Sequence, residues 1–234
     1  MWLVLCHTED AAALWAHEEL RRRGLDPVEL VSAEALACTL GWSHRVGAAG
    51  AAVEIALADG RRIESSAVRG ALNRIRAVQS PFWNAAELKE REYVQQELYA
   101  FYVSWLHCLP GPVLNPAAAG GLCGTWRHRS LWTRMALDCG LDAEPFLSGN
   151  GAAPAAAETV FVAGHAVVHP RVPAEVAEGC RRLARAAETP LLGIGFTQQR
   201  GAWRFVDATH SPDLRAGGPP LMDALAEALR GGGA

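Results

Sequence analysis

Apolar and polar positions alternate along the chain in blocks whose period changes from element to element, and the first of these blocks is a short unbroken apolar run, Trp2 to Cys6. Such a run suits a strand buried on both faces of a parallel sheet. Asp10 then stands where a helix cap is expected, before a segment with Ala12, Leu14, Trp15, Glu18 and Leu20 that runs through Arg23 and stops at Gly24. Pro27 to Val31 predicts a second strand, so the opening reads as βαβ and a helix-covered parallel sheet. Ala51 to Leu57 and Arg61 to Glu64 flank Asp59-Gly60 as a hairpin, and Ala67 to Ile75 predicts a further strand.

The clearest periodicity lies between Glu87 and Leu109. Val94, Leu98, Phe101, Trp105 and Leu109 recur every three or four positions, while Lys89, Glu90, Arg91, Glu92, Gln95 and Gln96 supply a wet face. This pattern predicts a helix packed along its full length and ended by Pro110. A short strand at Val113-Leu114 and a helix from Trp126 to Cys139, closed by Gly140, come next.

From Ser148 to Ala157 the composition is Gly, Ala, Pro and Asn without charge, the character of a linker. Beyond it, Thr159–Ala163 and Ala166–His169 form a hairpin about Gly164-His165, Pro173 to Glu188 an amphipathic helix, Leu191–Thr197 and Trp203–Ala208 a second strand pair, and Leu221 to Arg230 a closing helix. No internal repeat is visible.

Composition narrows the function. The 234 residues are half hydrophobic with a formal charge of −3, which favours neither disorder nor attraction to nucleic acid. Met1 to Cys6 lacks the basic leader of a signal peptide, and no apolar stretch reaches the length of a membrane span, so a cytoplasmic protein without a membrane partner is expected. Cys6, Cys38, Cys108, Cys123, Cys139 and Cys180 are scattered without CxxC pairs and read as reduced thiols. Of 22 basic residues one, Lys89, is lysine and 21 are arginine, which excludes any mechanism that needs two lysines.

Several clusters bear chemistry, each with a plainer reading beside it. His165 and His169, with His210 or Cys180, could share a metal; hairpin histidines without a recognised ligand spacing are more often hydrogen-bonded or solvent-facing. His107-Cys108 could be a catalytic pair, but sequence neighbours on a helix face different ways. Arg127, His128, Arg129 and Arg134 could hold a phosphate or carboxylate near a helix start, or form a solvated basic end. Asp207, His210 and Asp213 could be an acid/base site or polar caps of a loop. Eight tryptophans, among them Trp83, Trp105, Trp126 and Trp132, are expected in cores, with an exposed one marking an interface.

The order of these elements and several local motifs resemble the ATP-grasp family of carboxylate–amine ligases, in the branch that modifies ribosomally made peptides. The matching motifs are Leu72-Asn73-Arg74-Ile75-Arg76, Tyr93-Val94-Gln95-Gln96-Glu97, Asn115-Pro116, Ala136 with Gly140-Leu141 and Pro145, Val162-Ala163-Gly164-His165, Leu192–Phe196 and Phe205–Asp213. The resemblance implies an α/β fold: a Rossmann-like domain over residues 1–116 with a parallel sheet and the long helix, and a truncated ATP-grasp-like α+β domain over 117–234 that lacks most of the small central lobe. It also shows departures. Where the family carries an Asp, a Glu and an Asn for magnesium, this chain has Gly195, Asp207 and Thr209, and Arg129 stands at one of two lysine positions. No room for the lobe bearing the other lysine is left between Pro145 and Val160.

The resemblance therefore implies a non-catalytic relative, a pseudoenzyme that binds a peptide or protein partner, such as a biosynthetic enzyme, and does so as a homodimer. It needs no cofactor and no metal. An enzyme with a reused cleft is the alternative, with Asp207 and His210 as catalytic candidates and Arg129 and Arg74 as phosphate- or carboxylate-binding ones; ATP and magnesium enter only if ligase chemistry persists.

Overall fold

The computed structural model describes residues 1–48, 50–78, 87–146, 155–199 and 201–231. Two compact units divide the chain: Met1–Thr125, with Leu229–Gly231 of the described C-terminal residues, and Trp126–Ala228. The expected linker, Ser148 to Ala157, and Trp83 fall mostly or wholly outside the described residues.

In the first unit the apolar run forms β1 (Trp2–Cys6), every residue of it buried. Helix α1 (Ala11–Arg22) follows, its first turn closed by Asp10, whose side chain accepts from the Ala13 amide. β2 (Val28–Ser32) and β6 (Gly70–Asn73) flank β1, both parallel to it, and β7 (Val113–Leu114) adds to β6, giving the order β2-β1-β6-β7. The parallel sheet expected from the βαβ opening is present.

Two elements between β2 and the expected hairpin were not anticipated: a short helix α2 (Ala33–Ala37) capped by Ser32, and β3 (Gly41–Gly47). β3 joins β4 (Gly50–Ala56) and β5 (Arg62–Glu64), so the hairpin is part of a separate antiparallel sheet of order β3-β4-β5. The long helix α3 (Leu88–His107) forms as the periodicity predicts, but its packing is a correction. Only its last turns are covered, with Tyr102, Trp105 and Leu106 buried, while Leu88 and Tyr93 are about two-thirds exposed. The reason lies in β3: Trp42 meets Phe101, Tyr102 and Trp105 with centroids 4.7 to 5.3 Å apart, and that contact covers only the C-terminal part of α3.

The second unit is a four-stranded antiparallel sheet, β11-β10-β8-β9, built from β8 (Glu158–Ala163), β9 (Ala166–Val168), β10 (Leu191–Gln199) and β11 (Ala202–Thr209). Helices α4 (Arg129–Asp138) and α5 (Ala174–Ala186) share a core with it that includes Trp132, Cys180, Leu183, Ile194, Phe196 and Phe205. α4 starts at Arg129, not at Trp126, because His128 is extended and its Nδ1 accepts from the Ser130 amide. α6 (Gly218–Leu229) closes the chain. No helix among the described residues is long and apolar enough to cross a membrane, and all six cysteines are free thiols.

Candidate functional site

The site is built by an irregularity in the β10–β11 ladder. Gly195 pairs with Asp207, but the next residue, Phe196, pairs with Phe205, so β11 carries Val206 as an extra residue. A bulge of this kind leaves the extra residue outside the ladder and re-aims its neighbours. Here the Val206 carbonyl is taken up by the Nε of Arg129 from α4, at 3.0 Å. A backbone acceptor that the ladder skips thus fixes the guanidinium at a helix start, and its remaining nitrogens have no partner among the described residues.

Beyond the bulge Asp207 and Thr209 are exposed on one face, and the Asp207 carboxylate accepts from the Ala208 amide at 2.8 Å. Arg129, Asp207, Thr209 and the half-buried His210 line a cavity of about 290 Å³ together with Trp126, Arg127, His128 and Trp132. Arg127 is not free: its Nη2 donates to the Ala187 carbonyl at 3.0 Å, its guanidinium lies 5.1 Å from the Trp132 ring centre, and burial lowers its pKa. Trp126 is 67% exposed at the mouth, edge-on to His128, which meets Phe146 in turn.

Three of the four site residues singled out from the sequence, Arg129, Asp207 and His210, therefore share one cavity. Arg74 is not among its lining residues. It belongs to the first unit, is 4% exposed, and makes a two-point contact with Asp10, Nε to Oδ2 at 2.8 Å and Nη2 to Oδ1 at 3.1 Å.

The other clusters resolve into local structure. Asp213 caps the turn Leu214–Gly217 and pairs with Arg215 at 2.8 Å, and Arg134 pairs with Asp138 at 2.9 Å. His169 receives the Arg171 amide on Nδ1, so its Nε2 carries the proton that faces Glu158 at 3.1 Å. Cys180 is fully buried, and burial pushes its thiol up to about 12. Among the described residues no group of three His, Cys, Asp or Glu side chains is placed to hold a metal. His107 Nδ1 bonds to the Val103 carbonyl, and Cys108 meets not His107 but His44, at 3.3 Å.

Sequence reasoning missed the Val206 bulge. The bulge leaves no signal in residue type, whereas Trp126 was named as a tryptophan that would mark an interface if exposed.

Compared by sequence, the chain matches no protein-family model and no curated protein. Compared by structure, it is similar to the macrocyclase MdnC of Microcystis aeruginosa MRC bound with the precursor peptide MdnA, with TM-score 0.72, 12% identity and coverage of 97% of this chain and 98% of that one. The ATP-grasp ligase PsnB, complexed with a phosphomimetic variant of its minimal precursor, Mg and ADP, gives 0.70 at 14% identity over 96% and 97% of the two chains. A Chryseobacterium gregarium RiPP-associated ATP-grasp ligase, in complex with ADP and a leader and core peptide, gives 0.69 at 9% identity over 97% and 96%. The chain thus has the fold of the peptide-modifying ATP-grasp ligases, as its motif order implied.

That fold raises the question of a magnesium–nucleotide group. Two hard cations bridging phosphates require several oxygen ligands. Beside the bulge stand the Asp207 carboxylate and the Thr209 hydroxyl, and further along the same face of β10 the Glu144 carboxylate is already engaged by the Thr197 hydroxyl at 3.0 Å. Opposite Asp207, a Cβ added at Gly195 would lie 2.8 Å from the Ala156 Cβ, so a ligand side chain there has no space. This donor set does not fit a magnesium pair.

Proposed function

We propose that this protein is a non-catalytic member of the ATP-grasp fold that binds a peptide or protein partner in a biosynthetic pathway, acts as a homodimer, and does not carry out ATP-dependent ligation. The observation that carries the reading is the closed position at Gly195: Ala156 fills the space that a metal-binding side chain would need, which leaves Asp207 without a ligand partner opposite it on β10. Uncompensated phosphate charge costs several kcal/mol in a partly dry cleft. A shortened central lobe belongs to the same reading.

Binding is supported by what remains. Exposed Trp126 beside the anchored Arg129 combines the two residue types most enriched where interfaces draw their energy. The similar structures hold precursor peptides, which makes a peptide the first partner to test.

Isothermal titration of the full chain tests the reading directly. Mg–ATP is expected to give no heat of binding, and peptides encoded beside this chain's gene are expected to bind, with Trp126→Ala weakening them at least about tenfold. Micromolar Mg–ATP binding would overturn it. A second reading, an ATP-independent enzyme in a reused cleft, is favoured by the convergence of Arg129, Asp207 and His210 on one cavity. Under it, Asp207→Asn and His210→Ala abolish turnover, whereas under the binding reading no turnover exists to be lost.

A further inference from the structure

β3 is the edge strand of the β3-β4-β5 sheet, seven residues long. One of its backbone edges is taken by β4 in unbroken register from Gly41↔Ala56 to Gly47↔Gly50. Among the described residues no backbone hydrogen bond reaches the other edge. Proteins usually guard such an edge with proline, bulges or several charges. β3 has no proline, no shift in its ladder, and a single charge, Arg45.

Its two faces add direction to this open edge. Trp42, His44 and Val46 share one face, where the end of α3 covers the first two: Phe101 lies 4.7 Å from Trp42 and 5.6 Å from His44. The cover stops there, and Val46 is 71% exposed. On the opposite face Glu64, Glu54 and Ser43 fall in one cross-strand row, since Glu54 pairs with both Glu64 and Ser43. Two carboxylates directly opposite each other repel. Arg62 answers part of this by approaching Glu54 at 2.7 Å, and the small Ser43 leaves the outer end of the row open.

We propose that β3 pairs antiparallel with β3 of a second copy of this chain, about a two-fold axis at His44. In that register Val46 of one copy stands opposite Trp42 of the other and extends its apolar cover. Arg45 stands opposite Ser43, at the end of the Glu64–Glu54 row, where its long side chain reaches past the serine toward Glu54. Symmetry makes both contacts twice. An arbitrary extended peptide would satisfy the same backbone edge, but the strand's own sequence supplies the valine and the arginine at the positions where its faces need them. One strand pair lies at the small end of specific interfaces, under about 1,200 Å², so association is expected to be weak and concentration-dependent. The proposal gives the homodimer of the proposed function its interface and rests on that part of the reading, while peptide binding stands apart from it.

Sedimentation of the full chain over a wide concentration range tests it. The wild type is expected to pass from one chain to two, Arg45→Glu to raise the dissociation constant at least about tenfold, and the charge swap Arg45→Glu with Glu54→Arg to bring it back toward the wild-type value. Val46→Lys is expected to weaken the pair as well. Arg45, Val46 and Glu54 are all exposed, so the variants retain the fold, and far-UV circular dichroism checks this. A chain that stays single at every concentration overturns the proposal, as does a dimer indifferent to Arg45→Glu, a swap that fails to restore pairing, or an extended peptide that occupies β3 while the chain remains monomeric.

Discussion

Asp10 serves two partners at once, and its chemistry follows from both. One carboxylate oxygen caps α1 through the Ala13 amide at 3.0 Å, and the pair of oxygens receives Arg74 in a two-point contact. Burial by itself would raise the Asp10 pKa, but the Arg74 hydrogen bond and charge, the Ala13 amide and Arg76 outweigh it and hold the carboxyl below its ordinary value. A carboxyl depressed by folding adds stability that is present above its unfolded value of about 3.9 and is lost as pH falls through the lower folded value. Arg74→Ala leaves a largely buried carboxylate without its hydrogen-bonded cation, and urea unfolding at neutral pH is expected to show a loss of about 2–4 kcal/mol. In the same variant the acid branch of the stability curve moves up in pH. The cap was legible in the sequence because its geometry is local. The partner of Arg74 was not, since the two residues are far apart in the chain and a lone buried arginine looks the same as a ligand-binding one.

Helix α3 shows what periodicity can and cannot determine. Recurrence at three and four places the helix and its ends, because those depend on the chain's own repeat. Which turns are covered depends on the partner, and the partner is β3, whose alternation of Trp42, His44 and Val46 with Ser43 and Arg45 is short and bounded by glycines. The apolar stripe therefore runs on past its cover. Trp105→Ala removes a fully buried ring and is expected to cost about 3–5 kcal/mol in denaturant unfolding. Tyr93→Ala, in the exposed half, is expected to stay within about 0.5 kcal/mol of the wild type. Equal losses at the two positions would show that the first turns of α3 are packed after all. The β11 bulge belongs to the same scale: strand order and pairing were readable, but an extra residue in a ladder, and with it the anchoring of Arg129 on Val206, has no marker in residue type.

For the molecule as a whole, motif order carried the fold over almost its entire length, because the order of strands and helices survives when individual residues do not. The candidate cavity followed from that order: Arg129, far in sequence from Asp207 and His210, was named with them, and the three line one cavity. The closure of Gly195 by Ala156 was beyond reach, since it depends on where a Gly/Ala/Pro segment returns to the sheet. Association adds a consequence that only the whole chain displays. If β3 pairs with a second copy, folding and association share one equilibrium, and mass action makes the melting temperature rise with chain concentration. Differential scanning fluorimetry across a concentration series is expected to show that rise for the wild type and a nearly flat response for Arg45→Glu. The slope also separates association from simple stabilisation, because a variant that only lost an internal contact would melt lower at every concentration and keep the wild-type slope.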